Sequence, residues 1–180
     1  MSLVAAAWQN RTAAARDEGF PYIHVAVNEG RAAGASLLHT HSQLVWLKSV
    51  PPAVAAERGS PCAVCELLSS NELRIEAGTV VHPAGRSPYE LLIAPLEHDE
   101  GGLGSPELAP ALAALARSIR RLHAVEGRVP LNVWLHAEGH WHLEVVPRLT
   151  VFAGVELGAG IYVNPLPPEE AAQALRQARP

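Results

Sequence analysis

The chain has 180 residues and a formal charge of −4, which is enough length for one domain with a real core. Its charge is dispersed, without the long Lys/Arg run that nucleic acid or an anionic membrane would favour. The most apolar stretch, Leu108–Ala116, falls far short of the ~20 residues that span a bilayer. Met1–Trp8 lacks the basic start of a signal peptide, so a cytoplasmic soluble protein is expected.

Leu3 to Arg16 predicts a helix with Val4, Trp8 and Ala15 on one side, ended by Gly19 and Pro21. Tyr22–Val27 reads as a strand, and the bend Asn28–Gly34 returns the chain into a second strand, Ser36 to about Leu47. Pro51-Pro52 closes this hairpin, and Ala53–Arg58 reads as a short helical turn. From Ser60 the pattern restarts. Cys62-Ala63-Val64-Cys65 runs into a helical turn, Leu73–Glu76 and Thr79–His82 form short strands around Ala77-Gly78, and Ser87–Pro95 is a third strand. Ser105-Pro106-Glu107 opens a helix, whose Leu108, Leu112, Leu115, Ile119 and Leu122 form one buried stripe ended by Gly127. Leu131–His136 and His140–Val146 are two further strands. A Gly-rich segment, Gly154–Gly160, precedes a last helix opened by Pro167-Pro168-Glu169-Glu170. The order predicts an α+β fold with an antiparallel sheet and flanking helices.

The chemistry concentrates between Asn28 and Gln43. Strand alternation places His39, His41 and Gln43 on one face, and the Gly30–Gly34 bend offers backbone N–H groups that can converge on an anion. This suits attack by an imidazole on phosphorus, with neutral donors for its oxygens. On H-x-H alone, a metal clip or an ordinary polar face of a half-buried sheet is the better reading. Asn28, Gly30, Gly34, Ser36 and Gln43 at fixed distances favour the functional reading. His140, His142 and Glu144 repeat the same spacing, which hints at an internal repeat whose first copy is incomplete, with residues 1–59 its end and 60–180 the second copy.

The run Asn28-x-Gly30-x-x-x-Gly34-Ala35-Ser36-Leu37-x-His39-x-His41-Ser42-Gln43 closely resembles the active-site segment of galactose-1-phosphate uridylyltransferases, in the histidine-triad superfamily. Trp141–Leu149, Gly154–Gly160, Asn164-Pro165 and Pro168–Ala172 resemble the C-terminal end of that family. The resemblance implies a histidine-triad-like sheet and transfer of UMP from UDP-glucose to galactose 1-phosphate through a uridylyl-histidine. By position it makes His41 the nucleophile and Gln43 a partner of the phosphoryl oxygens. It gives Ser36 a phosphate contact, and Asn28 and Gly34 the shaping of the loop. Glu156 stands where the family has a hexose-contacting glutamate that serves the other subunit of a dimer, while a family lysine nearby is Thr150 here. The resemblance reaches only the second half of a full-length member. It therefore implies a homodimer, or a complex with a separate N-terminal half, acting on a UDP-sugar and a hexose 1-phosphate. An alternative is a non-catalytic or partner-dependent subunit of a split transferase. His39, which in the family joins a zinc site with partners in the missing half, is idle, structural, or completed by another polypeptide.

The cysteine pair Cys62 and Cys65 is too close in sequence for a disulfide framework. With His98 and His140 it predicts a tetrahedral Cys₂His₂ zinc site acting as a structural staple, and the resemblance to nucleotide-sugar phosphorylases supports that set. His136 and His142 are alternates for the fourth ligand, and Glu144 suits an iron-like site. A redox pair is the weaker reading, because no strand–Cys–helix context surrounds it. His24, His82, His123 and His136 otherwise read as surface or satisfied core histidines.

Overall fold

Seven short runs rich in Val, Leu, Ile and Trp pair into one antiparallel sheet in the computed structural model, which describes residues 1–58 and 61–179. The strands are β1 (Tyr22–Glu29), β2 (Ser42–Leu47), β3 (Arg74–Glu76), β4 (Thr79–Val81), β5 (Leu91–Ile93), β6 (Leu131–His136) and β7 (His142–Pro147). Their spatial order is β2-β1-β6-β7-β5-β4-β3. The flanking helices are α1 (Ser2–Asp17), α2 (Pro52–Ala56), α3 (Ala63–Ser69), α4 (Leu108–Glu126), α5 (Gly154–Ala159) and α6 (Pro168–Gln177). The expected α+β architecture is the one adopted, and among the described residues no helix is long and apolar enough to cross a membrane. The expected boundary between repeats falls on residues 59 and 60, outside the described residues. The N-terminal hairpin joins the same sheet through pairing of β1 with β6.

The two faces of the sheet differ in chemistry. On one, α1, α4 and α6 bury Trp8, Leu108, Leu112, Leu122 and Leu175 against Val25, Val133, Leu143 and Val145. The buried positions of α4 recur every three or four residues, as the predicted stripe requires. The opposite face is covered at one end by α3, where Leu68 packs with Leu73, Val80 and Leu92. Every residue of β7 is consequently buried, including His142 and Glu144, which alternate with Leu143 and Val145.

Three elements depart from expectation. β2 begins at Ser42 instead of Ser36. β1 pairs with β2 only as far as Val27–Ser42, and among the described residues no strand pairs with residues 36–41 to satisfy a ladder. The strand expected over Ser87–Pro95 shrinks to β5, because Tyr89 adopts a φ of 60° and the Glu90 N–H turns back to the Ser87 carbonyl at 3.3 Å. Ser105 caps a turn ahead of α4 by accepting the Glu107 N–H at 3.0 Å, so the helix proper starts at Leu108.

Leu143 is fully buried at the centre of the sheet. Leu143→Ala is expected to cost about 2–5 kcal/mol, read as a shift in the urea unfolding midpoint.

Candidate functional site

Gly30 to Ala35 forms one turn of 3-10 helix, Arg31–Ala33, closed by Gly34 in the left-handed conformation (φ 82°, ψ 17°). The Ala35 N–H bonds the Gly30 carbonyl at 3.1 Å and the Gly34 N–H bonds that of Arg31 at 3.0 Å, the Schellman closure that favours glycine at this position. This corrects one expectation. The N–H groups of Ala33, Gly34 and Ala35 are consumed within the bend, and none of the three is left to cradle an anion. The bend instead positions side chains. Asn28 donates from Nδ2 to Oε1 of Gln43 at 3.3 Å, and Asn132 of β6 donates to Oδ1 of Asn28 at 2.7 Å.

His41 lies one residue before β2, and His39 lies in the exposed segment ahead of it. The expected row of His39, His41 and Gln43 along one strand is therefore broken, and only Gln43 belongs to β2. The two rings remain neighbours, with centroids 5.7 Å apart. Nδ1 of His41 lies 3.1 Å from the His39 carbonyl oxygen. A carbonyl only accepts, so Nδ1 carries a proton, and in the neutral tautomer this selects, Nε2 is the nitrogen with the lone pair. The ring is partly exposed and borders a cleft of about 520 Å³ that Trp8, Val27, Leu115 and Val133 line on the helix-covered side. Trp8 ties α1 to the start of β2 by donating to the Ser42 hydroxyl at 3.0 Å. Ser36 and Gly34 sit exposed at the bend.

Cys62, Cys65, His98 and His140 converge, and their ligand atoms lie within 4.8 Å of one another. Tetrahedral coordination with bonds of about 2.0–2.3 Å needs ligand atoms roughly 3.3–3.8 Å apart, so small side-chain adjustments suffice. Nδ1 of His140 is 3.2 Å and Nδ1 of His98 is 3.4 Å from the Cys65 sulfur. Their outer nitrogens face acceptors, the Pro95 carbonyl at 3.0 Å for His140 and the Glu100 carboxylate at 3.2 Å for His98. Both rings are thus held in the tautomer whose inner nitrogen is free to ligate. Burial holds His140 below the usual imidazole range and keeps it neutral. Burial raises the Cys62 thiol, but hydrogen bonds from the Cys65 N–H and side chain, the His98 ring and the Val64 N–H outweigh it and favour the thiolate there, while burial and the neighbouring Cys62 push the Cys65 thiol up. The donor set fits a divalent metal ion. His136 and His142, the expected alternates, do not join it.

They belong to a second group, Glu57, His136, His142 and Glu144, which sequence reading had not assembled. His136 lacks a motif of its own, but it stands opposite His142 in the β6–β7 register. Alternation from the neighbouring strands would have been the signal. Nδ1 of His136 bonds the Glu57 carboxylate at 2.8 Å. Glu144 already has a cation, because the Arg86 guanidinium bridges it to buried Glu90 and stacks over Trp134 at 4.9 Å. This group also has its ligand atoms within 4.8 Å of one another.

No protein-family model matches the chain. It is 29% identical over 188 residues to the ADP-glucose phosphorylase of Arabidopsis thaliana, covering 91% of this chain and 54% of the relative. It is 27% identical over 205 residues to the galactose-1-phosphate uridylyltransferase of Thermotoga maritima, covering 94% of this chain and 64% of the relative. The solved structure of the Arabidopsis ADP-glucose phosphorylase with bound ADP-glucose superposes with a TM-score of 0.86 at 26% identity, over 99% of this chain and 66% of that one. Its homologues are proteins of the galactose-1-phosphate uridylyltransferase type, matched over more than nine tenths of this chain in sequence and in fold. It spans between half and two thirds of the length of the curated relatives it matches.

Glu156, where family resemblance predicts a sugar contact, lies in the first turn of α5. Its carboxylate accepts the Ala153 N–H at 2.9 Å, and among the described residues it makes no hydrogen bond to the His41 group. Val151, Val155, Leu157, Ile161 and Val163 around it are exposed.

Cys65→Ser is expected to remove bound metal from the purified protein and lower its melting temperature, with elemental analysis as the check; a variant that keeps its metal contradicts the ligand assignment. Burial pushes the Glu144 carboxyl up, but the His142 ring and Arg86 outweigh it and hold it at about 2. A carboxylate lowered by folding stabilises fully above its unfolded value near 4.5, and that contribution is lost as pH falls toward about 2. Glu144→Gln is expected to be less stable at neutral pH and to show a shallower decline across that window, read from urea midpoints against pH.

Proposed function

We propose that the chain carries the nucleophilic half of a nucleotidyltransferase that exchanges UDP-glucose and galactose 1-phosphate through a uridylyl-histidine. The observation that carries this reading is the His41 ring, protonated at Nδ1 by its contact with the His39 carbonyl, with Nε2 unspent. Nε2 attacks the α-phosphorus, the N–P bond forms, and the bond to the bridging oxygen breaks as glucose 1-phosphate departs. An oxygen of the incoming sugar phosphate then attacks the same phosphorus and releases His41. Gln43 donates to the phosphoryl oxygens as charge develops, and a neutral amide does so without supplying an acid that would help water intrude. Asn28, Gly34 and Ser36 shape the phosphate side of the site.

Cys62, Cys65, His98 and His140 hold zinc as a staple that ties α3 to the loops before α4 and β7, with no part in the transfer. Glu156 and its exposed apolar neighbours serve the site of a second copy in a homodimer, while residues resembling the family's other half complete the nucleoside pocket. A second reading keeps the nucleophile and changes the partners: ADP-glucose as donor and inorganic phosphate as acceptor. The Arabidopsis relative favours it, and so does Thr150 in place of the lysine expected near the sugar.

Intact mass after incubation with UDP-glucose or ADP-glucose tests both. One nucleotidyl group per chain is expected, stable in base and labile in acid, and lost in His41→Asn. Discharge of the adduct by galactose 1-phosphate supports the first reading and discharge by phosphate the second. No adduct with either donor, with a family N-terminal half also supplied, rejects the nucleophile and leaves a binding subunit.

A further inference from the structure

Asn132 is a partly buried residue of β6, and no motif or expectation singles it out. Its side-chain nitrogen makes two hydrogen bonds, to Oδ1 of Asn28 at 2.7 Å and to the Ala33 carbonyl at 2.8 Å. We infer that Asn132 is the positioning residue that decides which end of the Gln43 amide faces the reacting phosphate. The inference rests on the nucleophilic reading of His41 and names a residue that reading does not contain.

The argument is one of hydrogen-bond polarity. A carboxamide can be turned end for end at little steric cost, so its orientation is decided by what surrounds it. The Ala33 carbonyl can only accept, and the group of Asn132 that faces it must be the NH₂. The second proton of that NH₂ points at Asn28, so Asn28 presents its oxygen there and its own NH₂ on the other side. That NH₂ donates to Oε1 of Gln43 at 3.3 Å. Gln43 has then spent its acceptor inward, and its Nε2 protons face outward on exposed β2, next to the segment that carries His41. A fixed backbone oxygen in the Gly30–Gly34 bend thus sets three amides in sequence. It gives the site a donor where a phosphoryl oxygen gains charge, and not the acceptor that would repel it. The same contact ties the bend to β6, so loop and amide are aligned by one residue.

Asn132→Asp reverses this chain. A carboxylate can only accept, so Asn28 turns its NH₂ toward residue 132 and its oxygen toward Gln43, which then turns its own NH₂ inward. The rate of nucleotidyl-histidine formation at saturating donor is expected to fall about 10- to 100-fold, with little change in the donor concentration giving half-maximal rate. In a Gln43→Ala background the same substitution is expected to cost nothing further. A merely structural residue would add its full loss there. Asn28→Asp removes the same relay while leaving Asn132 its two acceptors, and should give the same defect if Asn132→Asp folds poorly.

Side-chain amide NMR provides a readout independent of activity. Both Asn132 protons should be protected from exchange in the wild type, with those of Gln43 free. In Asn132→Asp, or in Asn28→Asp, one Gln43 proton should become protected. Additive losses in the double variant, or unprotected Asn132 protons in the wild type, overturn the inference. If the wild type forms no adduct the nucleophilic reading fails, and the exchange pattern alone decides whether Asn132 orients Gln43.

Discussion

The pairing of β1 with β6 is the constraint from which the candidate site follows. Its register sets Asn28 opposite Asn132 and Val27 opposite Val133. Without it the N-terminal hairpin would be a two-stranded unit, which is marginal in water at best. With it, the hairpin becomes the edge of a seven-stranded sheet, and the glycine bend after β1 is moored to a strand 99 residues further along the chain.

The sheet divides its labour between faces. Helices α1, α4 and α6 cover one with leucine, valine and alanine, and this burial supplies the rigidity. The other holds the polar groups. Gln43, Ala26, Trp134 and Glu144 stand in one cross-strand row, so the amide group and the histidine–carboxylate group share a surface about 14 Å apart at normal strand spacing. Arg86 keeps that arrangement affordable, because it satisfies two carboxylates that would otherwise be buried together. Covering both faces of β7 leaves its polar residues dry and strongly coupled to their neighbours.

Residue pattern alone was sufficient for most elements. The stripe from Leu108 to Leu122, the C-x-x-C ahead of a helical turn and the alternation in β6 and β7 each depend on neighbours close in sequence, and periodicity reports such things directly. Reading failed where a partner strand was needed. Residues 36–41 have the alternation of a strand and no strand to lie against. The convergence of His98 and His140 on Cys62 and Cys65 matches the grouping expected from residue type, because Cys and His are the side chains a tetrahedral ligand set needs. The grouping of His136 with Glu57 was not, since neither residue has a local signature and only the β6–β7 register brings His136 to His142.

Sequence by itself determined the fold class, the H-x-H-x-Q segment and the cysteine pair that opens the Cys62, Cys65, His98 and His140 cluster. All of these follow from side-chain type and spacing along the chain. Tertiary structure decided which nitrogen of His41 is free, which N–H groups of the bend are already spent, and which way the Gln43 amide points. Those are matters of hydrogen-bond direction, and direction is set by groups that meet only when distant segments pack.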